Sequence, residues 1–422
     1  MKQRVRFFIA LRYLLGRSPE GDRYLRGAAL GIAISMVPIM VTLIVSDGMI
    51  QGITNRYLEL GTGHLQVYSY IPGADEVSVL IPHLQDIPGI RMISPERDGM
   101  GILVGPKGKT GATLRSVSQD FLQYPGTKQY LSVRSGELSL GSSRSCLIGT
   151  KVAEAIGAKP GDTIRLMTVR TTETGTMIPR ITPLTVSGIV SSGYRELDAL
   201  WCFIPYELGR SILASDTSRS FLVIKTDDPY KGLEARAAQI QEQLGDDVGV
   251  YSWKELQATQ FKSFESTRQM LILIMAIIVL VAAVNVASAT SMLVIERRRE
   301  IAILKSYGAK PGDVAALFAL GAGITGVVGS LVGIAFGLGI GYTINEIIHG
   351  LEFVLSLLAG LFNGGPVVIL NPSYYLERIP IVVNWSMVAM LFGLTVLASV
   401  LAALGSARRA GKLSPVEILQ KY

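Results

Sequence analysis

Four uncharged apolar stretches decide what this chain can fold into. They run over residues 27–46, 270–295, 314–342 and 387–404. The first three are long enough to cross a hydrocarbon core of roughly 30 Å, which takes about 20 residues at helical rise. The fourth is shorter, yet a basic tail follows it at once, and it counts as a span too. Between the first and second lie more than 200 residues of ordinary globular composition, long enough to bury a core and too long for a structureless loop. A chain that is 49% hydrophobic, with a mean hydropathy of +0.39, is too apolar for a soluble protein and too polar for one lying wholly in lipid. The sequence therefore predicts an α-helical membrane protein with about four transmembrane helices plus a large α+β extracytoplasmic domain.

The charges orient these spans. Residues 49–268 hold 23 Lys or Arg and 23 Asp or Glu, so the domain is neutral and the net +7 sits on the membrane flanks, which does not point to a nucleic-acid partner. Lys and Arg close to span ends stay cytoplasmic. Lys2, Arg4, Arg6, Arg12, Arg17, Arg23 and Arg26 precede the first span, Arg297, Arg298, Arg299, Lys305 and Lys310 follow the second, and Arg408, Arg409, Lys412 and Lys421 follow the fourth. Only Arg378 lies between the third and fourth. Four spans put all three basic regions on one side, with both termini cytoplasmic and the domain outside. The first apolar run is longer than the roughly 7–15 residues of a signal h-region and lacks a small-x-small site, so it is read as a span. Residues 6–15 before it suit a basic amphipathic helix in the headgroup plane.

The expected layout is an interfacial segment 1–26, spans at 27–48, 269–295, 314–344 and 385–406, and the domain at 49–268. A cytoplasmic turn at 296–313, an outer loop at 345–384 and a tail at 407–422 complete it. Within the domain, β-rich runs at 64–68, 101–104, 163–167, 184–190 and 221–225 alternate with helical stretches at 150–156, 206–213 and 230–244, an α+β pattern in two lobes. Residues 252–268 return as a helix continuous with the second span, and 353–362 suit a short interfacial helix. Cys146 and Cys202 both fall in the domain, where an oxidising compartment permits a disulfide, although apolar neighbours equally suit two buried thiols. The three histidines, His64, His83 and His349, are scattered, and no metal-ligand spacing appears.

Three features inside or beside the spans carry more information. Gly329, Gly333, Gly337 and Gly341 recur every four residues and line one helix face, where small side chains let helices approach closely, within the subunit or across a dimer. Asn285 is a lone intramembrane amide and reads as a helix-to-helix hydrogen bond. The turn after the second span, Glu296-Arg297-Arg298-Arg299-Glu300-Ile301-Ala302-Ile303-Leu304-Lys305-Ser306-Tyr307-Gly308, reads as a short helix closed by Gly308. Its Ile301 and Leu304 form an apolar face that a partner groove would bury. No catalytic constellation, proton relay or complete phosphate loop is present; Gly105-Pro106-Lys107-Gly108-Lys109-Thr110 fails the spacing because Leu103 stands where a glycine is needed.

These segments resemble the FtsX-like ABC permeases, and within them the Lol-type lipoprotein-releasing permeases. "ERRREIAILKSYGA" at 296–309 is close to that family's most recognisable segment, and 8–14 looks like its N-terminal helix. "GTKVAEAIGAKPGDTIRL" at 149–166 is similar to the MacB-like extracytoplasmic domain. "YYLERIPIVVNW" at 374–385 and "ARRAGKLSPVEILQ" at 407–420 are similar to the Lol-type approach to the fourth span and the family's C-terminus.

The resemblance implies a non-catalytic inner-membrane subunit paired with a second copy or a sister permease. It implies a partner dimer of cytoplasmic ATPase subunits that binds ATP and Mg, with no cofactor in this chain. Glu296, Arg297, Arg299, Glu300, Ile301, Leu304, Lys305 and Gly308 would then form the coupling helix. The cargo would be membrane lipoproteins, passed to a periplasmic lipoprotein carrier. Val41, Ile44, Val45 and Met49 share a face that would line an acyl-chain cavity, against the plainer reading of helix packing on the second span. FtsX-like mechanotransmission to an extracytoplasmic partner and MacB-like efflux are the competing readings.

Overall fold

The computed structural model describes residues 22–70, 77–171, 177–213, 218–361, 376 and 378–412. The expected amphipathic helix at 6–15 lies outside them. Contacts divide the described residues into a membrane unit, those within 22–48, 264–361 and 380–412, and a large domain, those within 49–263 and 376–379.

In the domain, ten strands form one hydrogen-bonded system: β1 (Leu65–Ser69), β2 (Ile90–Val104), β3 (Lys109–Val117), β4 (Ser132–Gly136), β5 (Ser145–Gly149), β6 (Thr163–Thr171), β7 (Met177–Ser191), β8 (Trp201–Pro205), β9 (Arg219–Thr226) and β10 (Val248–Ser252). Six of them close on themselves. β2 pairs with β3, β3 with β8, β8 with β5, β5 with β7, β7 with β6, and β6 returns to β2. Closure removes free edges, which would otherwise invite pairing with other chains. Alternation fills the ring: Ile164 and Leu166 are buried while Arg165 and Val169 face out. A second lobe is the antiparallel sheet β10-β1-β9-β2, covered by the helix Leu233–Leu244 through its buried Leu233 and Ile240.

β2 belongs to both lobes. Residues 90–98 pair with β9 and 97–104 with β3, across a segment whose Pro95, Gly99 and Gly101 read as turn chemistry. Gly101 is needed because a Cβ there would stand 2.7 Å from a Leu166 methyl. Five expected β-rich runs fall within β1, β2, β6, β7 and β9. β5 and β8 escape the alternation test because both are buried nearly throughout and so show no polar face.

The membrane unit is built from residues 22–48 of α1 (Asp22–Arg56), residues 264–296 of α2 (Ala258–Glu296), α3 (Arg298–Ser306), α4 (Pro311–Tyr342), α5 (Ile344–Leu361) and α6 (Trp385–Lys412). Among the described residues, α1, α2, α4 and α6 are the four helices long and apolar enough to cross a membrane. With 35 and 39 residues, α1 and α2 extend about 52 and 58 Å, well beyond a hydrocarbon core. Both overrun the apolar windows because polar helix formers continue the helix. The segment expected as a ten-residue interfacial helix is the second half of the 18-residue α5.

α4 is the centre of the unit. Its glycine face receives α1 of the same chain: Gly329 faces Ile32 and the Ala29 carbonyl, Gly333 faces Met36, Gly337 faces Met40, and Gly341 faces Ile44. A Cβ at Gly333 or Gly337 would lie 2.5 Å from the opposing Met Cβ, so only glycine permits this approach. Gly323 and Gly326, on another face of α4, seat Val400 and Ser399 of α6.

Candidate functional site

The turn after the second span is α3, a nine-residue helix set off from α2 at Arg297. It ends in a Schellman motif, with the Gly308 N–H donating to the Lys305 carbonyl at 2.9 Å and the Ala309 N–H to the Leu304 carbonyl at 3.1 Å. Gly308 takes φ 91°, a conformation that side-chain-bearing residues avoid. Arg297 and Glu300 form an ion pair, and Lys305 Nζ donates to the Gly411 carbonyl at 2.9 Å, tying α3 to the end of α6.

The apolar face expected to meet a partner, Ile301 with Leu304, turns toward the chain's own helices. Ile301 is 1% exposed and packs with Leu25, Val294, Phe318 and Ala407 inside the unit, and Leu304 is half-buried. Ile303 and Tyr307, at 43% and 89% exposure, point outward beside the exposed Arg299 and Glu296. Arg299, Ile303 and Tyr307 stand four residues apart and so share a helix face. The i,i+4 spacing of Ile303 and Tyr307 was the available signal, but the i,i+3 pair Ile301 and Leu304 on the inner face is equally helical and masked it.

Ile44 is 1% exposed, lies against Gly341 of α4 and shares a buried cluster with Met275, Val279 and Ala282 of the second span, so it packs between helices. Val41, Val45 and Met49 are half-buried. An apolar groove of about 540 Å³ is lined instead by α4 and α6, through Ala316, Gly323, Val327, Val396 and Val400. Asn285 is exposed on α2 and makes no hydrogen bond among the described residues, so the expected contact within the chain is not formed.

In the domain, Cys146 and Cys202 are buried free thiols, the second of the two alternatives that the sequence left open. Cys202 lies directly opposite Ile148, so Cys146 is its diagonal neighbour. The contact with Cys146 and burial both push the Cys202 thiol well above its usual range, so it stays protonated. Among the described residues, no group of three His, Cys, Asp or Glu is placed to hold a metal.

The domain's charged centre was not legible in the sequence. α1 is followed by a six-residue π-helix, Tyr57–Thr62, closed by Gly63 at φ 67°. Lys225 on β9, with its side chain 0% exposed, donates to both the Glu59 carbonyl and the Glu59 carboxylate at 2.7 Å. Arg115 on β3 donates to the Gly61 carbonyl at 3.0 Å and pairs with the buried Glu96 of β2. Phe121, Trp201 and Phe203 lie 5.2–5.6 Å from the guanidinium, at cation–π distance. Burial raises the Glu96 carboxyl above its usual range despite Arg115, and burial lowers the Lys225 amine despite Glu59. A separate apolar strip on the ring exposes Met100, Ile102, Val169 and Ile181 on neighbouring strands.

Residues 27–246 match the MacB-like periplasmic core domain, and 272–415 match the FtsX-like permease C-terminal domain. The lipoprotein-releasing system transmembrane protein LolC of Neisseria meningitidis is 25% identical, over 98% of each chain. LolE of Haemophilus influenzae is 23% identical over 99% of each. The macrolide export ATP-binding/permease protein MacB of Chromobacterium violaceum is 27% identical over 57% of this chain and 34% of its own. With one model covering the first span and most of the domain, and the other the remaining three spans, the chain belongs to the FtsX-like permeases that carry a MacB-like periplasmic core domain.

Proposed function

We propose that this chain is the permease subunit of an ABC-type lipoprotein-releasing complex. It withdraws lipoproteins from the outer leaflet of the bacterial inner membrane and passes them to a periplasmic carrier. The observation that carries the reading is the similarity to LolC over nearly the whole length of both chains, 25% identity over 98% of each. ATP and Mg are bound by a separate dimeric ATPase, and α3 is where it docks, through Arg299, Ile303 and Tyr307. An exposed Tyr beside an Ile and an Arg is the composition of an interface anchor. A second permease, identical or sister, covers the exposed face of α2 with Asn285, where an unpaired amide in lipid calls for a polar partner. The exposed Met100–Ile181 strip suits a carrier with an apolar surface of its own. Both termini are cytoplasmic and the domain is periplasmic, following the basic flanks.

Depletion in the host tests this reading, with lipoproteins then fractionated between inner and outer membranes. Outer-membrane lipoproteins should accumulate in the inner membrane. Normal sorting with a division defect would favour mechanotransmission, and normal sorting with drug sensitivity would favour efflux.

A further inference from the structure

The charged centre after α1 is a buried polar feature that docking and cargo do not use. Its geometry is specific. A helix end leaves carbonyls without donors and carries the negative pole of the helix dipole. Here two buried cations supply those donors: Lys225 reaches the carbonyl of Glu59, and Arg115 reaches that of Gly61. The anions that balance them stand on both sides, Glu59 on the π-helix itself and Glu96 on β2. The Tyr124 ring lies 4.3 Å from Lys225 Nζ and covers it. His64 adds a third tie, its Nδ1 accepting from the Thr226 N–H at 2.8 Å. Gly126 gives the Glu59 carboxylate its room, since any Cβ there would collide with it.

We propose that Glu59–Lys225 and Glu96–Arg115 are a coupling joint, fastening the π-helical end of the first span's helix to β9, β3 and β2 so that movement of the helix reaches the sheet undiminished. Stability does not explain them, because well-packed apolar residues replace buried ion pairs with no loss and often with gain. Apolar contacts, however, have no direction and permit sliding. Charge-assisted bonds to named carbonyls permit one seating only. A π-turn at this point fits, since such turns concentrate at functional positions. The joint makes Glu59, Lys225, Glu96 and Arg115 positioning residues, and it rests on the proposed release function only for what the movement accomplishes.

The test uses the full chain with its ATPase in lipid nanodiscs loaded with a triacylated lipoprotein. The Glu59→Leu/Lys225→Met double variant removes the pair without leaving a lone buried charge. We expect lipoprotein released per ATP to fall at least tenfold, with ATP turnover within twofold of wild type. Hydrogen exchange at the amides of 57–63 should quicken at least tenfold, with β5 and β7 unchanged. Unchanged exchange at 57–63 overturns the joint, as does wild-type release per ATP or a parallel fall of turnover and release. Should the double variant not fold, Glu59→Gln, which keeps shape and an acceptor, is expected to shift both readouts in the same direction by at least threefold, and no shift overturns the proposal. If wild type itself releases nothing, the functional reading fails, while the exchange measurement still decides the fastening.

Discussion

At the scale of single residues, close approach and burial set the sharpest expectations. Gly337 and Gly339 lie on the same helix, but a Cβ at Gly337 meets Met40 at 2.5 Å while one at Gly339 meets nothing within 4 Å. Gly337→Val should therefore destabilise the detergent-solubilised protein by on the order of 3 kcal/mol, and Gly339→Val by little, as read from the shift in Tm. Glu96 gives a pH dependence whose sign follows from its raised carboxyl. The folded state holds the Glu96 proton more tightly than the unfolded chain. Its contribution is thus fully present below about 4.5, the ordinary value, and is lost as pH rises through the folded value. Compared with Glu96→Gln, wild type should gain stability between pH 7.5 and 5, measured by thermal unfolding of the two proteins side by side. The four-residue glycine series was readable because lipid leaves packing as the main force between helices. Lys225 and Arg115 were not, since a lone Lys in an apolar strand gives no sign of which distant carbonyl it will reach.

Elements differ in how far their sequence determines them. The helix α3 was legible in extent, closed by Gly308, but not in facing. Both Ile301 with Leu304 and Ile303 with Tyr307 are spaced for a helix, and only the packing of Leu25 and Phe318 decides which pair turns inward. Tyr307→Ala should weaken ATPase binding by about 2 kcal/mol, roughly 30-fold, in a titration with the purified ATPase. Ile301→Ala should instead lower stability, because it opens a cavity in the unit's own core. The π-helix depends on its closing residue. Gly63 sits at φ 67° and ψ −168°, a region open in practice to glycine alone, and a Cβ there would collide with Val223. Gly63→Ala should cost about 1–3 kcal/mol and raise exchange at β9 before the β5–β7 ring responds.

For the molecule as a whole, the span count, the two-lobed α+β domain and the helical return into α2 from Ala258 onward follow from apolar length, charge asymmetry and alternation, whereas the expected continuity from 252 is broken at Gln257, where the separate helix Trp253–Leu256 ends. The closed ring does not, because closure depends on β6 pairing with β2 some 60 positions away, and pairing at that distance has no local signature. The same limit hid the shared strand β2, whose glycines and proline imitate a turn. Release of lipid-anchored cargo is the claim on which the functional account turns. The most direct measurement is transfer of a radiolabelled triacylated lipoprotein from proteoliposomes, holding this chain and its ATPase, to a soluble carrier after ATP is added. The account predicts transfer that requires ATP and carrier together and that Tyr307→Ala abolishes. ATP hydrolysis stimulated by the chain, with the lipoprotein left in the liposome, would contradict it.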